Sequence, residues 1–377
     1  MGRFLRSAVK SVTTVPLGAV ADLMMRSGVN YRPTGTAVSR AAFPELAAEF
    51  PPSGQGMFAA VMNAAVGGTW ASVTYGNGLF VAVGENSTIG VSQDGLSWTV
   101  IMYGETGRHY TDVIWAGGQF IAVAGTDRCV TSPDGYTWTL RMMPAAPAGT
   151  TYRSIAYGAG LYVAFHGSNT TASSSYATSP DGINWTARSL PVGVCWRIVR
   201  FAQGMFVAMA TTNTANYVTS TDGLTWTARG LHIAGYWESL CYGNGVWVAM
   251  SGGLAGVNTQ LAITSHNGIN WTTRTLPVVS SWSDVSYGNG HFIAVSSQST
   301  AGSSVMLTSS DGIWWVARTV PIMNYKATTF GNGLFVALQG YVQNGVAAAA
   351  GMTVYLEGAT SDFMYLGCKV QWNGKPG

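Results

Sequence analysis

Trp282-Ser283-Asp284-Val285-Ser286-Tyr287-Gly288-Asn289-Gly290-His291-Phe292-Ile293-Ala294 is one copy of a unit that the chain repeats seven times. Each copy opens on an aromatic residue: Trp70, Tyr110, Tyr152, Trp196, Trp237, Trp282 and Tyr325. A second aromatic follows five residues on, from Tyr75 in the first copy to Phe330 in the last, and a glycine comes three residues later. These glycines, Gly78 to Gly333, lie 40 to 45 residues apart. An aromatic, a β-branched residue and an alanine then follow, as in Phe80-Val81-Ala82. Apolar runs on both sides of a tight glycine turn read as a β-hairpin. A period near 40 in such a pattern reads as the blades of a propeller.

The unit has a second half. Ser-x-Asp-Gly-x-x-Trp recurs around Asp94, Asp134, Asp181, Asp222 and Asp311, and around Asn267 with Asn in place of Asp. These turns read as structural: the Asp oxygen can accept nearby backbone N–H groups, and Gly takes positive φ. Four strands per copy predict an all-β fold, a seven-bladed β-propeller of four-stranded antiparallel blades over residues 57–377. The seventh copy lacks the second turn. Its missing strand has to come from 57–66 or from 359–366, because an unpaired edge invites aggregation.

Residues 1–56 read as a separate arm. Phe4, Leu5, Ala8, Val9 and Val12 make an apolar stripe at helical spacing, and Pro16 ends it. Residues 31–56 are broken by Pro33, Pro44, Pro51 and Pro52 and read as extended. An arm with no core of its own is expected to anchor on another chain through Phe4, Leu5, Val9, Phe43 and Phe50. The competing reading of residues 1–21 is a signal peptide cut near Ala21. Its apolar region would contain Thr13, Thr14, Pro16 and Gly18.

Charged residues are only 9% of the chain, against roughly 25% in ordinary domains. A net charge of +3 argues against nucleic acid. Cys129, Cys195, Cys241 and Cys368 form no C-x-x-C pair, so no metal and no cofactor are expected. Asp112 and Asp284 share one repeat position, which points to structure rather than to a catalytic pair. No nucleophile–base arrangement, phosphate loop or two-carboxylate site stands out, and the chain is read as not an enzyme.

The repeat W-x-S-V-x-Y-G-N-G-x-F-V-A-V with S-P-D-G-x-x-W-T-x-R resembles that of bacteriophage tail-fibre, spike and appendage proteins carrying sialidase-like, Asp-box-type propeller repeats. The likeness runs over about residues 39–338. It implies a structural protein of a tailed-phage virion, with the arm docked on the tail or another virion protein, several copies per particle, and the propeller facing a host-surface glycan or protein. A purely architectural virion protein, or a secreted carbohydrate-binding propeller without catalysis, are the alternatives.

The second-to-third loops vary in length while the other turns are uniform. From the repeated Ala to the turn Ser is 10 residues in the first two copies and 16 in the fifth. Variable loops on a rigid scaffold are where binding usually sits. On this ground Tyr103, His166, Asn213, Asn216, Asn258 and Gln260 are the expected binding residues.

Overall fold

The computed structural model describes residues 69–339, apart from 105–106, 213, 253–258, 298–303 and 321–323, together with the strands 37–39, 57–62, 351–356 and 362–364. The anchoring residues Phe4, Leu5, Val9, Phe43 and Phe50 lie outside the described residues, as do Asn213 and Asn258.

Each hairpin forms where the repeat places it. In the first copy Trp70–Gly76 and Leu79–Gly84 pair antiparallel, Gly76 opposite Leu79. The turn between them holds Asn77 at φ 50° and Gly78 at φ 75°. Both central residues in the left-handed region make a turn whose twist suits a two-residue hairpin. The second strand is buried along its whole length. Its Val81 and Val83 pack with Tyr110 and Val113 of the next copy. The apolar core is thus a series of layers between neighbouring sheets, each side chain removed from water contributing about 1.5–3 kcal/mol.

The Asp-Gly turns close the outer pair of strands. Asp134 Oδ1 accepts Ser132 Oγ at 3.0 Å and the N–H groups of Tyr136 and Thr137 at 2.9 and 2.7 Å. The Trp138 indole donates to Gly135 O at 2.9 Å and is buried. Those two backbone donors hold the Asp134 carboxyl down at about 2. Asp94, Asp181, Asp222 and Asp311 bond in the same way. Asn267 fits because the turn uses one acceptor oxygen, which takes the N–H groups of Ile269 and Asn270. The repeated arginines brace the outer ladder: Arg141, Arg188, Arg229, Arg274 and Arg318 each donate from Nε to a third-strand threonine.

Six blades are built from four consecutive strands each, beginning at Trp70, Tyr110, Thr151, Trp196, Trp237 and Trp282. The expectation of a seven-bladed propeller is corrected here: the fold is an all-β propeller of six four-stranded antiparallel blades. The last copy does not complete a blade from its own repeat; it enters a composite sheet ordered Met57–Met62, Gly351–Leu356, Leu334–Gln339, Tyr325–Gly331. The reason is the missing Asp-Gly turn, without which the copy has no fourth strand to offer. Residues 57–62 fill that edge. Asp362–Met364 pairs instead with Ala37–Ser39, Ala37 opposite Met364. By contacts the chain divides into one unit of Ala60–Val354 and another of Met1–Ala59 with Tyr355–Gly377.

One contact recurs between neighbouring sheets. The residue that ends the first strand packs under the second aromatic of the next copy. A Cβ placed on Gly76 would lie 2.0 Å from Trp115 Cγ, on Gly158 2.1 Å from Phe201 Cγ, and on Gly243 2.0 Å from Tyr287 Cγ. The same holds for Gly288 under Phe330, and for Gly331 under Tyr75 of the first copy, which joins the last sheet to the first.

Gly243→Ala is expected to lower stability by about 1–3 kcal/mol through overpacking. Gly230→Ala, where a Cβ meets nothing within 4 Å, should change it by less than about 0.5 kcal/mol. Thermal unfolding of the two variants checks this; equal melting temperatures would show that the aromatic can move aside.

Candidate binding site at the hub of the sheets

Every first strand carries a β-bulge immediately after its opening aromatic. The register shifts between Tyr152 and Ser154, between Trp196 and Ile198, between Trp237 and Ser239, and likewise in the other copies. A bulge re-aims the extra residue. The bulged residues are Ala71, Thr111, Arg153, Arg197, Glu238, Ser283 and Lys326. All but Ser283 line one cavity of about 230 Å³, joined by Asn169. Because the first strands neighbour one another in a closed circuit, this cavity lies at their hub. Asn169 belongs to the second-to-third loop of the third blade, so the cavity meets that loop.

The cavity holds three cations and one carboxylate. Arg197 Nε donates to Glu238 Oε2 at 2.8 Å, and Thr211 Oγ1 donates to Glu238 Oε1. Burial opposes ionisation of Glu238, but Arg197 and Lys326 outweigh it and hold its carboxyl below the usual range. Lys326 is pushed down to about 8, first by the neighbouring Arg197 charge and then by burial. Arg153 is lowered by burial and by Arg197. Its Nε reaches Gly167 O at 3.5 Å, a weak bond. Gly167 is needed beside it: a Cβ there would sit 1.9 Å from Trp196 O and 3.1 Å from Arg153 Cγ.

A second tier of polar residues ties the first strands together. Asp112 accepts Ser72 Oγ at 2.8 Å, Ser154 Oγ at 2.9 Å and Arg200 Nη1 at 3.2 Å, which come from three other blades. Asp284 accepts Ser239 Oγ at 2.6 Å and the Thr328 N–H at 2.8 Å. Burial raises the Asp284 carboxyl. These acids are committed to holding strands, as their shared repeat position suggests. Cys129 is a buried apolar-site thiol, pushed up to about 12 by burial.

Of the expected binding residues, Asn216 is exposed near the start of Thr214–Ser220, and Gln260 is half-buried in Thr259–Ser265. Tyr103 is half-buried against the core, and its carbonyl accepts the Tyr110 hydroxyl at 2.6 Å. His166 is corrected. It lies in the second strand of its blade, Leu161–Gly167, fully buried, its ring centroid 4.1 Å from that of Tyr152. His166 pairs with the opening aromatic Tyr152, the position that Gly84, Ala124 and Ala210 hold in other copies, so it belongs to the paired strand and not to the loop.

The bulged column escaped the sequence reading. Its signal was present: directly after the repeated aromatic stand Ala, Thr, Arg, Arg, Glu, Ser and Lys, a variable and charged column within a uniform repeat. Only the bulge makes that column converge. Among the described residues no group of three or more His, Cys, Asp or Glu could hold a metal ion, and no helix is long and apolar enough to cross a membrane.

Burial holds His166 down at about 4, below its ordinary value of about 6.5. The unfolded chain therefore binds the extra proton, and stability falls as pH drops from about 6.5 to 4, by on the order of 3 kcal/mol, then levels off. His166→Phe should remove that slope in pH-dependent denaturation. A variant that keeps the wild-type slope would place the proton elsewhere.

No protein-family model matches the chain, and no curated protein matches it. Solved structures do. The chain is similar to virginiamycin B lyase from Staphylococcus aureus, at TM-score 0.67 and 8% identity over 80% of this chain and 99% of that one. A streptogramin B lyase matches at TM-score 0.64 and 10% identity, over 79% and 97%. YCF48 bound to a D1 peptide matches at TM-score 0.57 and 17% identity, over 79% and 96%. At these identities the likeness shows the β-propeller fold alone.

Proposed function

We propose that this chain is a recognition and structural protein of a tailed-phage virion. The propeller is displayed on the particle and meets the host surface with the end that carries the cavity, while residues 1–56 dock it on the tail or another virion protein. The observation that carries this reading is the hub cavity: a concave, cationic site on a rigid repeated scaffold, with Asn169 of a variable loop in its lining. The phage setting rests on the resemblance of the repeats over residues 39–338. Binding without catalysis is the better use of the site. Its one carboxylate is already held by Arg197 and Thr211, and hydrolysis of a glycosidic bond needs two placed carboxyl groups.

Deleting residues 1–56, which include no residue of the hub, should abolish incorporation into particles. Replacing the exposed residues Asn169, Thr170 and Asn216 with alanine should leave particle yield unchanged and reduce adsorption to host cells. Particle counts and adsorption assays read the two effects separately. Normal adsorption by the alanine variant would favour an architectural role.

A further inference from the structure

We infer that the hub cavity binds an oxyanion, a carboxylate or phosphate group carried on a sugar-sized unit, through Arg153 and Lys326. The inference deepens the binding reading above by naming the ligand chemistry.

The first argument is charge accounting within the cavity. Glu238 is neutralised by Arg197 at 2.8 Å. Three cations, Arg153, Arg197 and Lys326, thus face one space whose described lining holds a single carboxylate; Lys326 and Arg153 share Glu238 with Arg197, and Asp284 adds its charge toward Lys326. Like charges so placed repel one another, and Arg197 already weakens the hold of Lys326 on its proton. A bound anion relieves this repulsion, and does so in a partly desolvated site where charge-assisted hydrogen bonds are strong.

The second argument is scarcity. Charged residues make up only 9% of this chain, and five of its arginines brace the outer ladders. Three further cations nevertheless meet at a single point, each delivered by a bulge that re-aims it toward the hub. Packing does not require this. Ala71 and Ser283 occupy the same bulge position in two other copies, so the fold accepts small residues there.

Size and shape select the class. A cavity of about 230 Å³ is below the roughly 300–1,000 Å³ of sites that enclose drug-sized molecules. Its lining is polar, which suits one hydrophilic unit rather than an apolar ligand. The planar fork of Arg153 matches the two oxygens of a carboxylate or phosphate, Lys326 adds a point charge, and Asn169 stands at the cavity wall for neutral oxygens. A nucleic acid would need a basic stripe, and the charge here is confined to one point.

Calorimetry on the full chain tests the inference, with glucuronate, glucose 6-phosphate and glucose as probes. One of the two anions should bind at least about tenfold more tightly than glucose, and which one does distinguishes carboxylate from phosphate. Arg153→Gln and Lys326→Met should each weaken that anion about tenfold, consistent with loss of one charge-assisted contact. Lys326→Arg should retain most of the affinity. Melting temperatures close to the wild type confirm that each variant is folded. Equal affinity for glucose and both anions, or unchanged anion affinity in both charge-removing variants, overturns the inference. If no anion binds while particles of the alanine variant still fail to adsorb, the inference falls and the host-contact reading stands.

Discussion

The packing of an aromatic ring onto a bare backbone holds the sheets together. Where Gly158 or Gly243 ends a first strand, the ring of the next copy lies in the space a Cβ would occupy. The contact brings neighbouring first strands close enough for their side chains to interact across the gap. It also fixes the stagger of one sheet against the next, since a ring fitted over a glycine cannot slide without meeting the side chains beside it. Gly331 under Tyr75 makes the same contact between the last copy and the first. In two copies the position is Ala116 or Ala202, so one small methyl is accommodated there.

Close approach at the hub sets up the polar chemistry. Asp112 can gather hydroxyl and guanidinium groups from three other blades only because the first strands crowd together. Buried carboxylates of this kind are costly unless every oxygen finds donors, and here each does. One tier above, the bulge turns a strand position that would otherwise lie in the sheet toward the common space. The same local irregularity, repeated, therefore makes both a seam and a site. Which of the two a copy contributes to depends on the side chain placed there: Ser283 bonds backwards to Val295 O and Tyr325 O and stays buried, whereas Lys326 reaches the cavity.

The few charges are divided by task. The turn aspartates accept backbone donors and stay ionised well below neutral pH, so their contribution is present across the working range and is lost only in strong acid. The repeated arginines act as local braces to third-strand threonines. What remains at the hub is a small excess of positive charge at one point, set in a surface otherwise dominated by Ser, Thr, Asn and Gly.

Much of the architecture was legible in the residues because it is local. Hairpins follow from Asn-Gly pairs and Asp-Gly turns, whose dihedral needs few residue types meet, and the blade boundaries follow from the repeat. The absence of the second turn after Phe335-Val336-Ala337 was also legible, and with it the need for a borrowed strand. Tertiary structure decided what the repeat could not encode. That residues 57–62 rather than 359–366 complete the composite sheet depends on contacts between distant parts of the chain. The burial of His166 depends on its pairing opposite Tyr152 and on the packing of the sheets around that pair. Above all, Arg153, Arg197, Glu238 and Lys326 lie far apart along the chain, in four different copies, and nothing in one copy indicates that a bulge aims its side chain at a shared axis. Local sequence determines turns and strands through short-range sterics; a site assembled from one residue per blade exists only once the blades have closed around it.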